Sequence, residues 1–216
     1  MDLCDLSPSA ALALECERRF QGNVRALVRA GSAATPGLLE TLRGTVLVVT
    51  YLERGRDGSI ACRVETAAGD RRWVGGAVIP ASAATEMLAT LDLPEVGHLF
   101  LAPFDGGYNL DALLEATHQH QHIFVLEDEL SLFAGTLMAA DMRRAFASGR
   151  VRLFVGADLG KQVANYLREH PWMPPPEHLI TTSTVRETVA LYRHEVALSE
   201  RLLAQAGRRP GRSQAA

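Results

Sequence analysis

Residues 122–128 read HIFVLED, and this stretch decides the fold that the sequence predicts. Its apolar run is unbroken and ends in acidic residues, and similar apolar runs occur at residues 98–102 and 150–155. Unbroken apolar strands that alternate with helices are typical of βαβ units, whose parallel sheet is buried on both faces. The sequence therefore predicts an α/β fold in which residues 95–182 form a Rossmann-like, three-layer domain.

The order of the strands in this sheet determines where a ligand can bind. We expect strands 98–102, 123–126 and 150–155 to be adjacent and parallel, with strand 98–102 in the middle. Such sheets bind their ligands outside the carboxyl ends of the strands. The remaining elements of this domain are helices at 110–117, 130–147 and 159–169 and one more strand at 178–182.

A different pattern precedes this domain and another follows it. Residues 1–94 predict a small α+β region, in which alternating strands separated by glycine-containing turns form an antiparallel meander. Its helices are expected at 9–29, 36–43 and 82–91, and its strands at 45–52, 59–66 and 71–74. Ser183 is a helix start signal for a C-terminal helix over 183–207, and residues 208–216 read as a disordered tail.

Glycines and acids follow the predicted strands at the points where each strand ends. A glycine turn lets a ligand approach the backbone, and an acid about 20 residues further on can hold the hydroxyls of a ribose. An acid after the third strand is placed to meet an adenine amino group. The candidate cofactor-binding residues are Asp105, Gly106, Gly107, Glu127, Asp128 and Asp158.

The loop after the first of these strands departs from a complete glycine fingerprint. Pro103 has no N–H group to donate, and Asp105 places a carboxylate where a phosphate or an amino-acid carboxylate normally lies. Two like charges about 4 Å apart cost roughly 1 kcal/mol in water and several near a protein surface. Two interpretations therefore stay open. The first is a nucleotide pocket, and the second is an intact scaffold with a degenerate loop, in which Glu127 and Asp128 are solvated or capping acids.

Composition excludes several classes of function. The net charge of −3 gives no electrostatic basis for binding nucleic acid, and no apolar run reaches the roughly 18 residues of a membrane span. The acidic start of the chain lacks the basic residues of a secretory signal, so we expect a cytoplasmic protein. The 3 cysteines lack the spacing of a zinc site. His118, His120 and His122 alternate along the chain, and we interpret them as a polar loop and predict no metal site.

The chain resembles the Rossmann-like N-terminal region of motility-associated factor glycosyltransferases and related bacterial glycosyltransferases over about residues 15–180. The residues that carry the resemblance are GYNL at 107–110, HIFVLED at 122–128, Leu132-Phe133, Asp141 and RVRLFVG at 150–156. The resemblance implies a domain that accompanies a sugar-transfer module. It also implies a glycosyltransferase module as a partner and a sugar nucleotide as a ligand.

A second resemblance is to class I adenosylmethionine methyltransferases, whose third strand is similar to residues 151–158. It implies adenosylmethionine as the cofactor. Three functions therefore stay open, namely an accessory glycosyltransferase-associated module, a methyltransferase, and an interaction domain whose pocket has decayed. Because no nucleophile with a matching base is evident, we expect the isolated chain not to be an enzyme or, if it is one, to be a transferase. Its substrate and oligomeric state stay open.

Overall fold

The computed structural model of the chain describes residues 10–31, 35, 37–75, 80–104 and 106–181. The predicted helix 183–207, the predicted tail 208–216 and Asp105 lie outside these residues. The helices are α1 (Ala10–Ala30), α2 (Leu38–Gly44), α3 (Pro80–Ala89), α4 (Tyr108–Ala116), α5 (Leu130–Ala139), α6 (Arg143–Ala147) and α7 (Leu159–Glu169). The strands are β1 (Val49–Arg54), β2 (Ile60–Glu65), β3 (Arg71–Val74), β4 (Leu99–Ala102), β5 (Ile123–Glu127), β6 (Val151–Val155) and β7 (His178–Thr181).

The sheet formed by β4 to β7 confirms the predicted fold class. Its order is β6-β5-β4-β7, and each neighbouring pair is parallel. Side chains on one face of the sheet, such as Leu101 and Val125, share a core with α1, α2, α4, α5 and α6. Side chains on the other face, such as Phe100 and Phe124, pack against α7. The two faces give the three layers of a Rossmann-like domain.

The predicted strand order was wrong in one respect. Among β4, β5 and β6 the middle strand is β5, whereas we expected strand 98–102 to lie there. The reason is that α4 and α5 bury Leu113 and Phe133 in the same core, on one face of the sheet. Right-handed crossovers on one face step in one direction, so β5 and β6 follow β4 in turn. Helix α7 covers the opposite face, and β7 accordingly lies on the other side of β4.

The antiparallel meander is also confirmed, with the order β1-β2-β3. It packs against α5, and the contact requires a glycine. A Cβ atom at Gly135 would lie 2.7 Å from Val74 Cγ2 and 3.1 Å from Val64 Cγ1. Because Gly135 has no side chain, the meander approaches α5 closely enough to form a shared apolar cluster with Leu132 and Cys16.

The single helix that we expected over 130–147 is two helices, and buried Asn23 explains the break. Helix α5 ends at Ala139, and Ala140 has an extended backbone. The Asn23 amide group donates to the carbonyls of Leu137 and Ala140, each at 2.7 Å, and its oxygen accepts the N–H of Met142 at 2.8 Å. Asn23 thus supplies the partners that the helix ends lack. In the described residues no helix is both long enough and apolar enough to cross a membrane.

Candidate functional site

The carboxyl ends of the parallel strands lie along one edge of the sheet. The register pairs Leu101 with Val125, Glu127 with Val155 and Ala102 with Thr181. The loop after β4 therefore lies beside Glu127, and Glu127 lies beside the turn that leads to Asp158. Strands β4 and β7 are neighbours although they are far apart in sequence, so the change of winding direction falls between them. Sheets of this kind bind ligands at such a point.

Glu127 is the most enclosed of the described acids at this edge, with 2 % of its surface exposed. Its Oε1 accepts the backbone N–H of Glu129 at 3.1 Å, and its carbonyl accepts the N–H of Gly156 at 2.8 Å. A carboxylate this deeply buried is expensive unless polar groups surround it. Glu127 is therefore held in a fixed position at the end of β5. A residue that orients a bound group needs such a fixed position.

Asp128 and Asp158 lie at the same edge but are exposed. Asp158 precedes α7 with a positive φ of 57°, and its carbonyl accepts the N–H groups of Lys161 and Gln162. Its side chain makes no capping hydrogen bond to α7. Both carboxylates can meet a ligand only from the solvent side, where charge interactions are weak.

The glycines after β4 serve contacts within the chain. Gly106 has φ +77°, and a Cβ there would lie 2.5 Å from the Cα atom of Gly75, at the end of β3. A Cβ at Gly107, where φ is +72°, would lie 2.6 Å from Met142 Sδ and 2.9 Å from Thr136 Cγ2. The meander thus covers Gly106, and α5 lies behind Gly107. We had attributed these glycines to the approach of a ligand, and that role stays a prediction.

Tyr108 is a polar contact of this region that our sequence reasoning missed. Its hydroxyl accepts the N–H of Ile60 at 3.0 Å and donates to the carbonyl of Ala139 at 3.1 Å. Burial raises the pKa of this phenol, so it stays protonated and able to donate. Tyr108 joins the start of α4 to β2 and to the end of α5. The local sequence around Tyr108, a tyrosine that follows two glycines, does not indicate these hydrogen-bond partners.

A cavity of about 320 Å³ lies on the helix side of Gly107. Acids Asp57, Asp111 and Asp141 line it together with Arg19. Asp111 Oδ1 is buried without a hydrogen-bond partner among the described residues, and burial raises the pKa of this carboxyl group. The cavity therefore disfavours a phosphate and favours a cationic or hydroxyl-bearing group.

At the end of β6, side chains form hydrogen bonds with the backbone N–H and carbonyl groups that point away from the sheet. The N–H of Val155 donates to Thr35 Oγ1 at 2.8 Å, and the Thr35 hydroxyl donates to Gln162 Oε1 at 2.6 Å. Gln162 Nε2 also donates to the Val155 carbonyl at 3.2 Å. Thr35, which lies between α1 and α2, is thereby anchored to the carboxyl edge of the sheet.

Histidines collect at the opposite, amino edge of the sheet. His98 Nδ1 accepts the N–H of His122 at 3.2 Å, and the two rings meet edge to face at 5.1 Å. Burial lowers the pKa of His98, and burial together with neighbouring cations lowers that of His122 to about 4. Both rings are therefore neutral near pH 7. Within the described residues no group of histidine, cysteine and acidic side chains is arranged to hold a metal ion.

The fold and the position of the candidate site define a Rossmann-like module preceded by a meander that packs onto it. No protein-family model matches the sequence, and no curated protein matches it. Among solved structures the chain is similar to the Maf glycosyltransferase from Magnetospirillum magneticum AMB-1, with 15% identity and a TM-score of 0.57. The match covers 90% of this chain and 36% of that chain. It confirms the predicted resemblance at the level of the fold.

Proposed function

We propose that this chain is an accessory Rossmann-like module of a glycosyltransferase-type protein. The support is the fold shared with the Maf glycosyltransferase, which extends over 90% of this chain but spans only about a third of the other chain. The test of this part is association with a glycosyltransferase encoded beside it, measured by size-exclusion chromatography of the purified pair. Elution of the two as separate species at micromolar concentration would contradict it.

We further propose that the carboxyl edge of the sheet binds the nucleoside part of a nucleotide or sugar nucleotide. The observation that carries this proposal is Glu127, a carboxylate with 2 % exposure that is fixed at the end of β5 beside the loop after β4. A carboxylate in this place can accept hydrogen bonds from both hydroxyls of a ribose once the groups that cover it move aside. Asp158 follows the next strand, and we expect its carboxylate to accept a hydrogen bond from an amino group of the base.

The same geometry gives phosphate groups little to bind. Gly75 lies against Gly106, and the acids of the cavity beside Gly107 repel an anionic tail. We therefore expect most of the affinity to come from the nucleoside, with Asp105, Gly106 and Gly107 flanking the rest of the ligand. A nucleoside should accordingly bind about as tightly as its diphosphate.

Adenosylmethionine is the second candidate ligand, and Asp111 favours it. The unpartnered Oδ1 of Asp111 is near the start of α4, where the tail of an adenosine-type ligand would extend. The sulfonium and ammonium groups of adenosylmethionine are cations, so this carboxylate attracts them. Methyl transfer thus stays a proposal that rests on the charge of the cavity.

Calorimetry with nucleosides, their diphosphates and adenosylmethionine tests both ligands. Glu127→Gln keeps the shape of the side chain and removes its charge, and we expect it to weaken binding by roughly 1–3 kcal/mol. Glu169→Gln makes the same change at the exposed end of α7 and should leave binding unchanged. Circular dichroism checks that the buried variant is folded. If the affinity is unchanged in Glu127→Gln, the ligand binds elsewhere. If no heat of binding is detected at millimolar ligand, both ligand proposals fail and the function as an interaction domain is the one that remains.

A further inference from the structure

A second cavity, of about 690 Å³, lies between α1 and α6, away from the carboxyl edge of the sheet. Its floor consists of small residues that include Gly22, Ala26 and Ala147, and Arg25, Arg29 and Arg143 line it. We call it the arginine groove. Among the residues that the structure describes no acidic side chain lines this groove, in contrast to the cavity beside Gly107.

The side chain of Arg143 lies over the small residues that line the groove. A Cβ added to Gly22 would lie 3.4 Å from Arg143 Cδ, so the side chain of Arg143 extends across α1 at the glycine. Its Nε donates to Asp141 Oδ1 at 2.8 Å, and its Nη2 donates to the other oxygen of the same carboxylate. Asp141 thereby orients the guanidinium group and neutralises part of its charge. The Nη1 group has no hydrogen-bond partner in the described part of the chain and can therefore meet a ligand.

The other two arginines carry charge that the described part of the chain does not balance. Arg25 and Arg29 are one helical turn apart on α1, and both are exposed. Among the described residues neither forms an ion pair, and the Nε of Arg25 donates only to the carbonyl of Gln21. The carbonyl end of α1 attracts Arg29, but it does not account for the convergence of Arg143 from another helix.

We propose that the arginine groove binds a small molecule that carries two phosphate groups. Planar guanidinium groups match phosphate oxygens in pairs, and neighbouring arginines on one helix favour linked anions over a single one. The volume lies within the range of about 300–1,000 Å³ that small-molecule sites occupy. This site is independent of the nucleoside site proposed at Glu127, because it uses other helices and the opposite charge.

Calorimetric titration of inorganic pyrophosphate into the full chain at about 50 mM salt tests the proposal, since low salt limits screening. The variant Arg25→Gln/Arg29→Gln should weaken binding at least about tenfold. A charge-matched variant, Arg56→Gln/Arg71→Gln, changes exposed arginines of the meander and should bind as the wild type does. Glu127→Gln should also leave pyrophosphate binding unchanged, which separates this site from the carboxyl edge.

Several results would overturn the assignment. Absence of binding at millimolar pyrophosphate would remove the site. An equal loss of affinity in the meander variant would show that the overall charge of the chain attracts the anion. Citrate binding as tightly as pyrophosphate would show that the groove does not select phosphate groups. Chemical-shift changes confined to the side-chain Nε–Hε signals of the groove arginines would support the proposal directly.

Discussion

The substitution Gly106→Ala tests whether the loop after β4 is built for the meander. The new Cβ would lie 2.5 Å from Gly75 Cα and 2.8 Å from its nitrogen, where carbon atoms normally stay about 3.5–4.0 Å apart. The backbones must therefore separate by about 1 Å, and strain of this kind costs about 1–3 kcal/mol. The positive φ of +77° adds roughly 1–2 kcal/mol for any residue other than glycine.

Gly69→Ala is the matched control for this prediction. Gly69 has φ +84°, and a Cβ there meets nothing within 4 Å. This variant therefore measures only the free-energy cost of placing alanine at a positive φ. Chemical denaturation at unchanged m-value should place Gly106→Ala about 1–3 kcal/mol below Gly69→Ala. Equal stability of the two variants would refute the close packing of the meander on the loop. It would also restore Gly106 as a position that a ligand can approach.

Three further changes have defined outcomes. Asn23→Ala leaves the N–H of Met142 and two carbonyls without partners, and should lower the free energy of unfolding by about 3–5 kcal/mol in denaturant titrations. His122 has a pKa near 4 in the fold against 6.5 ordinarily, so the unfolded chain takes up the proton first and stability falls as pH drops from 6.5 to 4. His122→Phe should reduce this pH-dependent loss of stability by about 1–2 kcal/mol, a value lowered because the ring is partly exposed to solvent. A pH dependence of stability equal to that of the wild type would contradict this. Arg150→Lys loses hydrogen bonds to the carbonyls of Leu114 and Gln121, and calorimetric melting should show a loss of about 1–3 kcal/mol.

The elements of the fold were predictable because their signals are local. The unbroken apolar run before Glu127 predicts a strand buried on both faces, and all residues from Ile123 to Glu127 are buried. The order of the strands depends on which face each crossover helix covers, and α4 and α5 carry no local mark of that choice. The break between α5 and α6 depends on Asn23, which is 119 positions from Met142. A side chain so distant in sequence leaves no trace in the periodicity of the helix it interrupts.

The candidate site was predictable to a smaller extent. Acids that end parallel strands lie at one edge, so Glu127 and Asp158 could be placed there from the strand pattern. The partner of Gly106 could not, because Gly75 reaches it only once the meander packs on the domain. A glycine needed for a ligand and one needed for another backbone look identical in sequence. The arginine groove could not be predicted as a whole, because Arg143 joins Arg25 and Arg29 from another helix.

The contacts of Thr35 have a consequence for how copies of this protein can meet. Strand β6 is one of the two outer strands of the described sheet, and an outer strand normally offers unpaired N–H and C=O groups to any extended segment that reaches it. Here Thr35 and Gln162 occupy those groups at Val155, and the Arg152 guanidinium donates to the carbonyl of Val151 at the other end. At the two ends of β6 these side chains take hydrogen bonds that a neighbouring strand would otherwise make. We therefore expect β6 to resist amyloid-like pairing and domain exchange, and copies that associate to use another surface.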